Sequence, residues 1–247
     1  MGGNIRKFIS RILVSSVLLV VFSIGFVNTI AADGHSHDGK TFVEWTSTNT
    51  LPSEAGNYYL ANNVSLTSTW VVLNNEVNLC LNGKTITMES NVDIISVSQG
   101  SVLNIYDENG GVITHAQGQS DNGIKVNGGS LSVNGGTIKN NDKGINVSGG
   151  GTLNLDTASV TYNTIGIFIA DGSTVNVKSG VVGDNAKGIY VYDGALNFSS
   201  GVVLNNSTSI EVGANSTVNI GSESDHDNDT YIVGAFSLDG SNSKVKI

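Results

Sequence analysis

A short alternation of apolar and polar residues returns five times through the middle of the chain. Its copies are Asn122-Gly123-Ile124-Lys125-Val126, Lys143-Gly144-Ile145-Asn146-Val147, Ile165-Gly166-Ile167-Phe168-Ile169, Lys187-Gly188-Ile189-Tyr190-Val191 and the weaker Thr208-Ser209-Ile210-Glu211-Val212. The Gly or Ser positions 123, 144, 166, 188 and 209 are spaced by 21 or 22 residues. A second element follows each copy in register: Leu131-Ser132-Val133, Leu153-Asn154-Leu155, Val175-Asn176-Val177, Leu196-Asn197-Phe198 and Val218-Asn219-Ile220. A third is marked by Ile138, Val160, Val182 and Val203, and each unit closes on an Asn: Asn141, Asn163, Asn185 and Asn206. A period of two places alternate side chains on opposite sides of a pleated strand, so each element predicts a strand with its Ile, Val and Leu turned inward.

One such unit cannot bury its own apolar set. Stacked units can, because coils about 4.8 Å apart make a continuous core and pair every backbone group with the coils above and below. Three elements per unit predict a prism with three sheet faces. The expected fold is therefore all-β: a right-handed parallel β-helix, or solenoid, with 21–22 residues per coil. The closing Asn residues are expected to stack on one another as a structural ladder and to accept the left-handed backbone that a sharp corner needs. A left-handed solenoid would require a hexapeptide rhythm, which the sequence lacks. A β-sandwich is the rival fold, but hairpins give no reason for this register.

The repeat continues less regularly in both directions. Upstream, Val77-Asn78-Leu79 and Leu103-Asn104-Ile105 match the second element and Ile95-Ser96-Val97 the first, with a longer excursion from Tyr106 to Asn122 before the regular zone. Downstream, Phe236-Ser237-Leu238 and Val245-Lys246-Ile247 repeat the first and second elements, and the sequence stops in mid-coil. An open solenoid end exposes strand edges, so the expectation is a fragment of a longer protein or an end covered by another chain. Before the coils, residues 33–57 read as a polar leader and N-terminal cap, with Trp45, Tyr58 or Tyr59 and Trp70 as plugs for the core, and residues 58–247 as the solenoid. Residues 1–32 differ again. Arg6, Lys7 and Arg11 precede an apolar stretch from Ile12 to Val27 and the small residues Ala31 and Ala32, the layout of a secretory signal peptide. An uncleaved membrane anchor is the alternative, with the apolar run near the short limit for a span.

Composition agrees with a β-rich chain. Gly numbers 31, Pro 1, and charged residues only 13 % of 247. The single Cys80 lies in the apolar run Val77–Leu81 and reads as a buried, inert thiol. Removing Arg6, Lys7 and Arg11 from a net charge of −9 leaves −12, with no Arg after Arg11. Such a surface argues against nucleic acid and anionic membranes as partners.

The run His35-Ser-His-Asp-Gly39, Trp45, Leu51-Pro52-Ser53-Glu54-Ala55-Gly56-Asn57-Tyr58-Tyr59-Leu60, then Asn78-Leu79-Cys80-Leu81-Asn82-Gly83-Lys84-Thr85-Ile86, resembles the start of large secreted or wall-attached proteins of gut Gram-positive bacteria. The resemblance covers roughly residues 35 to 88. It implies a similar cap opening a right-handed, pectate-lyase-like β-helix, a surface location and a scaffold or adhesive role. It carries no catalytic motif to transfer, and neither a wall-sorting motif nor an extra module is present in this sequence.

Five sets of residues are candidates for chemistry. The first is the outward column Lys125, Asn146, Phe168, Tyr190 and Glu211, where two exposed aromatics on a flat face suit stacking against sugar rings of polysaccharide or cell-surface glycans; cross-strand packing for stability is the plain alternative. The second is the outward Asn column 78, 104, 154, 176, 197 and 219 with Ser132 interposed, a solvated amide ladder or a contact for a regular surface. The third is the acidic run holding Asp225, Asp227 and Asp229, which place oxygens as Ca²⁺ requires, although the Gly and Glu of the usual calcium loop are replaced by Thr230 and Phe236. The fourth is His35, His37 and Asp38 as metal donors in a mobile leader. The fifth is the loose cluster Asp107, Glu108, His115 and Asp121, the only one offering carboxylates to a hydrolase or lyase. The expected function is a non-enzymatic extracellular scaffold or adhesin that contacts glycans; a polysaccharide lyase or glycoside hydrolase on the same fold is the alternative.

Overall fold

The computed structural model describes residues 35–221, 230–238 and 240–246. The chain divides into the units Met1–His35 and Ser36–Ile247. The described residues of the second unit form strands and turns. Residues 1–32, read from the sequence as a signal peptide, and the acidic run 225–229 lie outside the described residues.

The second unit is a three-faced parallel β-helix of about eight turns. Two faces carry eight strands each and one carries ten, and neighbours within each face come from successive coils. Face one runs from Trp70–Val72 through Ile124–Asn127, Lys143–Ser148, Ile165–Ile169 and Lys187–Val191 to Phe236–Leu238; face two from Val43–Trp45 through Val102–Tyr106, Ser130–Asn134 and Thr152–Asp156 to Lys244–Lys246; face three from Val64–Leu66 to Thr230–Ile232. Register follows the sequence repeat: Ile145 pairs with Ile124 and Ile167, Leu153 with Leu131 and Val175, and Val160 with Ile138 and Val182. The paired inward side chains are essentially inaccessible and make one core along the whole stack. Stacking gives each coil the burial it cannot reach alone.

The stretch from Tyr106 to Asn122 is less of an excursion than its sequence suggests. It contains the strand Val112–His115, which pairs with Thr85–Met88 and Thr137–Lys139 as an ordinary third-face rung. The added residues sit in the turns on either side of it.

The corner ladder forms, but with a different division of labour from the one expected. Asn141, Asn163, Asn185 and Asn206 are buried. Each Oδ1 from Asn163 onward accepts both the backbone N–H and the Nδ2 of the preceding rung, at 2.9–3.1 Å. The left-handed backbone belongs to the residue before each one, at Asn140, Tyr162, Asp184 and Asn205, with φ of 55–58°. The ladder Asn is thus freed to turn its amide inward. The ladder also accounts for the repeated glycines. A Cβ on Gly123, Gly144, Gly166 or Gly188 would lie 2.8–2.9 Å from the next Asn Nδ2 and 2.5–2.7 Å from a carbonyl oxygen of the next coil.

The N-terminal plug is partly as expected. Trp70 is buried and donates its indole N–H to the Pro52 carbonyl at 2.8 Å, while Trp45 meets Tyr58 edge to face. Tyr59 turns the other way, onto a small outer cluster of Phe42, Cys80 and Tyr106. That cluster seats the leader. Ser36–His37 and Lys40–Thr41 form a two-stranded antiparallel hairpin, and Asp38 at its turn accepts the Tyr106 hydroxyl of the solenoid.

Candidate functional site

On face one the strands align Ser96, Lys125, Asn146, Phe168, Tyr190, Glu211 and Ser237 in a single outward column. The sequence-derived column is therefore real, but its members do not act as one set. Lys125 lies beside Asp93 at 3.8 Å, and Asn146 donates to the side-chain oxygen of Asn122. Phe168, Tyr190 and Glu211 occupy three consecutive coils and do assemble.

Phe168 and Tyr190 meet edge to face with ring centroids 5.4 Å apart. Both are half-buried rather than exposed as the sequence suggested, because a third ring covers them. Tyr192 lies near-parallel to Phe168 at 6.2 Å and edge-on to Tyr190 at 6.0 Å, and it is 55 % exposed. Tyr192 follows the strand Lys187–Val191, and its backbone N–H continues the ladder onto the Ile169 carbonyl. Tyr190 and Tyr192 are two residues apart in extended backbone and so share a side. That spacing is visible in the sequence, but the repeating element itself ends at Val191.

Two cations lean on these rings. Lys187 Nζ sits 4.7 Å from the Tyr190 centroid and pairs with both Glu211 oxygens at 2.8 and 3.0 Å. Lys143 Nζ lies 5.8 Å from the Phe168 centroid and pairs with Asp142. Such contacts orient the lysines over the ring faces. The result is a low aromatic platform with an ammonium–carboxylate pair on its rim.

The remaining candidates are dispersed. Asp107 accepts from the backbone N–H groups of Gly83, Asn109 and Gly111, which makes it a turn brace. His115 is buried at the head of the Asn ladder, with Nδ1 2.7 Å from Asn141 Oδ1 and Nε2 3.0 Å from the Val92 carbonyl. Asp121 bonds to the neighbouring Asn122. Of the loose cluster, Asp107 and Glu108 share a cleft of about 370 Å³ with Ser36, His37, Asp38, Tyr106, Asn134 and Thr157.

In the hairpin, Asp38 accepts the Tyr106 hydroxyl at 2.9 Å and the His37 ring stacks on Tyr106 at 4.8 Å. His37 also brings a ring nitrogen within 4.8 Å of Cys80 Sγ. Burial pushes that thiol up to about 12 and so keeps it protonated, against the thiolate form that ligates metals. Burial, then the Asp38 hydrogen bond and charge, likewise raise Tyr106 to about 12. The Ca²⁺ candidates Asp225, Asp227 and Asp229 lie outside the described residues.

Comparison with protein-family models, with curated proteins and with solved structures finds no match to this chain.

Proposed function

We propose that this chain is a non-enzymatic, exported β-helix that serves at a cell surface as a scaffold or adhesive module and grips carbohydrate on the platform of Phe168, Tyr190 and Tyr192. The observation that carries this reading is the three-ring cluster itself, placed outside the core where folding does not require it. Sheet stability alone is served by the Phe168–Tyr190 pair; it does not call for a third ring held 55 % exposed above them. An exposed aromatic with a charged rim offers what sugar rings use, a flat apolar face with hydrogen-bonding groups at its edge. Export is supported by the basic-then-apolar start of the sequence, and the acidic, Arg-free remainder disfavours nucleic acid.

The alternative is a polysaccharide-degrading enzyme on the same fold. It is disfavoured because Asp107 is occupied by three backbone donors, while Glu108 projects into solvent with its side chain 81 % exposed.

The deciding experiment passes the purified protein over immobilised neutral and uronate glycans and assays the flow-through for new reducing ends. Retention on at least one neutral glycan without product is expected, and the triple variant Phe168→Ala/Tyr190→Ala/Tyr192→Ala is expected to flow through. Released oligosaccharide would establish the enzyme instead, and full retention of the triple variant would remove the platform as the site.

A further inference from the structure

Face two carries its own ladder, distinct from the corner ladder. Asn57, Asn78 and Asn104 are joined by amide–amide hydrogen bonds of 2.8 and 2.9 Å, and Asn154, Asn176, Asn197 and Asn219 by bonds of 2.8–3.0 Å. In every bond Nδ2 donates to Oδ1 of the preceding coil. The register places Ser132 between the two runs, paired with Asn104 on one side and Asn154 on the other. A serine is too short to bridge them. Asn104 Oδ1 and Asn154 Nδ2 therefore accept and donate no hydrogen bond among the described residues, and neither atom is enclosed by protein.

Ser130 on the same rung is also short. On the strand Ser130–Asn134 the outward residues are Ser130, Ser132 and Asn134; they pair with Val102, Asn104 and Tyr106 on one coil, and Ser130 and Ser132 pair with Thr152 and Asn154 on the other. Ser130 and Ser132 are shorter than the Asn104 and Asn154 that flank Ser132, so the rung dips along these two positions into a shallow trough that ends at Asn134. One end of this trough opens on the cleft under the hairpin, which Asn134 and Tyr106 both line. The backbone there is pressed close. A Cβ on Gly135 would collide with the Asp107 carbonyl oxygen, so only glycine fits beside Asn134.

We infer that this trough, from Ser132 to the cleft at Asn134, is a second ligand site and that it takes a neutral saccharide lying across the coils. The acceptor at Asn104 and the donor at Asn154 are two coil spacings apart, roughly 9.6 Å, with the Ser132 hydroxyl between them and the Asn134 amide about 7 Å along the strand. Adjacent sugar hydroxyls each donate and accept, which matches this alternation of acceptor, hydroxyl and donor. Asp38 and Glu108 at the cleft end repel uronates and other anions, which excludes an acidic saccharide. The site lies on a different face from the aromatic platform and stands whether or not the platform binds.

The test uses cellotetraose, xylotetraose and mannotetraose as probes, with side-chain amide resonances of Asn104, Asn134 and Asn154 followed by NMR. At least one probe is expected to shift all three in the wild type and in the Phe168→Ala/Tyr190→Ala/Tyr192→Ala variant. Ser132→Asn closes the ladder; it is expected to raise the unfolding midpoint while weakening that probe about tenfold, the equivalent of about 1.4 kcal/mol. Asn134→Ala, which leaves the ladder untouched, is expected to weaken it comparably. If no probe moves these amides, or if Ser132→Asn binds as the wild type does, the trough is only an interruption in packing and the proposal fails. Shifts lost in the platform variant would assign the binding to face one instead.

Discussion

At the scale of single residues, the corner Asn is the group on which each coil depends. Asn163 donates through Nδ2 to Asn185 Oδ1 and to the carbonyls of Ile138 and Thr161, and it accepts from Asn141, all within a buried corner. Asn163→Ala leaves several of these groups without partners at about 1–3 kcal/mol each when buried. A loss of about 3 kcal/mol is expected, read as a lowered denaturation midpoint. Gly166→Ala acts on the same contact from below. Its Cβ meets the Gly188 carbonyl oxygen at 2.6 Å and Asn185 Nδ2 at 2.9 Å, so overpacking is expected to cost about 1–3 kcal/mol.

Two buried acids set an alkaline limit. Cys80 and Tyr106 rise from 9.0 and 10.0 to about 12 in the folded protein. Groups raised by folding add stability that is complete below the unfolded values and is lost as pH rises through the folded ones. Stability is therefore expected to be insensitive to these two groups below about pH 9 and to fall between about pH 9 and 12, measured as the unfolding midpoint in a pH series. The recurrence of Asn at 141, 163, 185 and 206 was legible in the sequence. Which neighbour takes the left-handed backbone was not, because Tyr162 breaks the Asn/Asp series of Asn140, Asp184 and Asn205 while the next position is Asn in every coil.

At the scale of elements, period-two alternation located the strands wherever an apolar pair flanks a polar residue. It passed over Val112–His115, where Thr114 and His115 dilute the signal and turns on both sides break the spacing. It also missed the docking of the leader hairpin. That contact depends on outward aromatic positions, Tyr59 and Tyr106, meeting Phe42 from a distant stretch of chain, and no local pattern encodes it. The hairpin covers Cys80, which is 1 % exposed. Phe42→Ala withdraws the ring that meets His37 at 5.0 Å and Tyr106 at 5.7 Å. Faster modification of Cys80 by a thiol reagent under native conditions is expected, with the core stack intact by circular dichroism. An unchanged rate would mean that the solenoid, rather than the hairpin, shields the thiol.

At the scale of the whole molecule, the described stack is regular, with its sequence variety on the outside. The inward columns are Ile, Val and Leu from coil to coil, so they specify the fold and say little about function. The outward columns vary, and two departures stand out, the ring cluster Phe168–Tyr190–Tyr192 on face one and Ser132 within the Asn column of face two. The first break was half legible, since Phe168 and Tyr190 fall at matching repeat positions while Tyr192 lies beyond the strand. Nothing in the sequence marked Ser132 as more than an interruption, because its meaning lies in the donor and acceptor it leaves on neighbouring coils. The platform makes the most direct claim about what the molecule does, and its exposed ring is the place to test it. Isothermal titration of the best-retained neutral glycan should compare the wild type with Tyr192→Ala and Tyr192→Phe. Affinity is expected to fall at least about tenfold in Tyr192→Ala, for a lost stacking contact of at least about 1.4 kcal/mol, and to be largely kept in Tyr192→Phe, where the ring remains. Equal affinity for the wild type and Tyr192→Ala would contradict the assignment of carbohydrate binding to this platform.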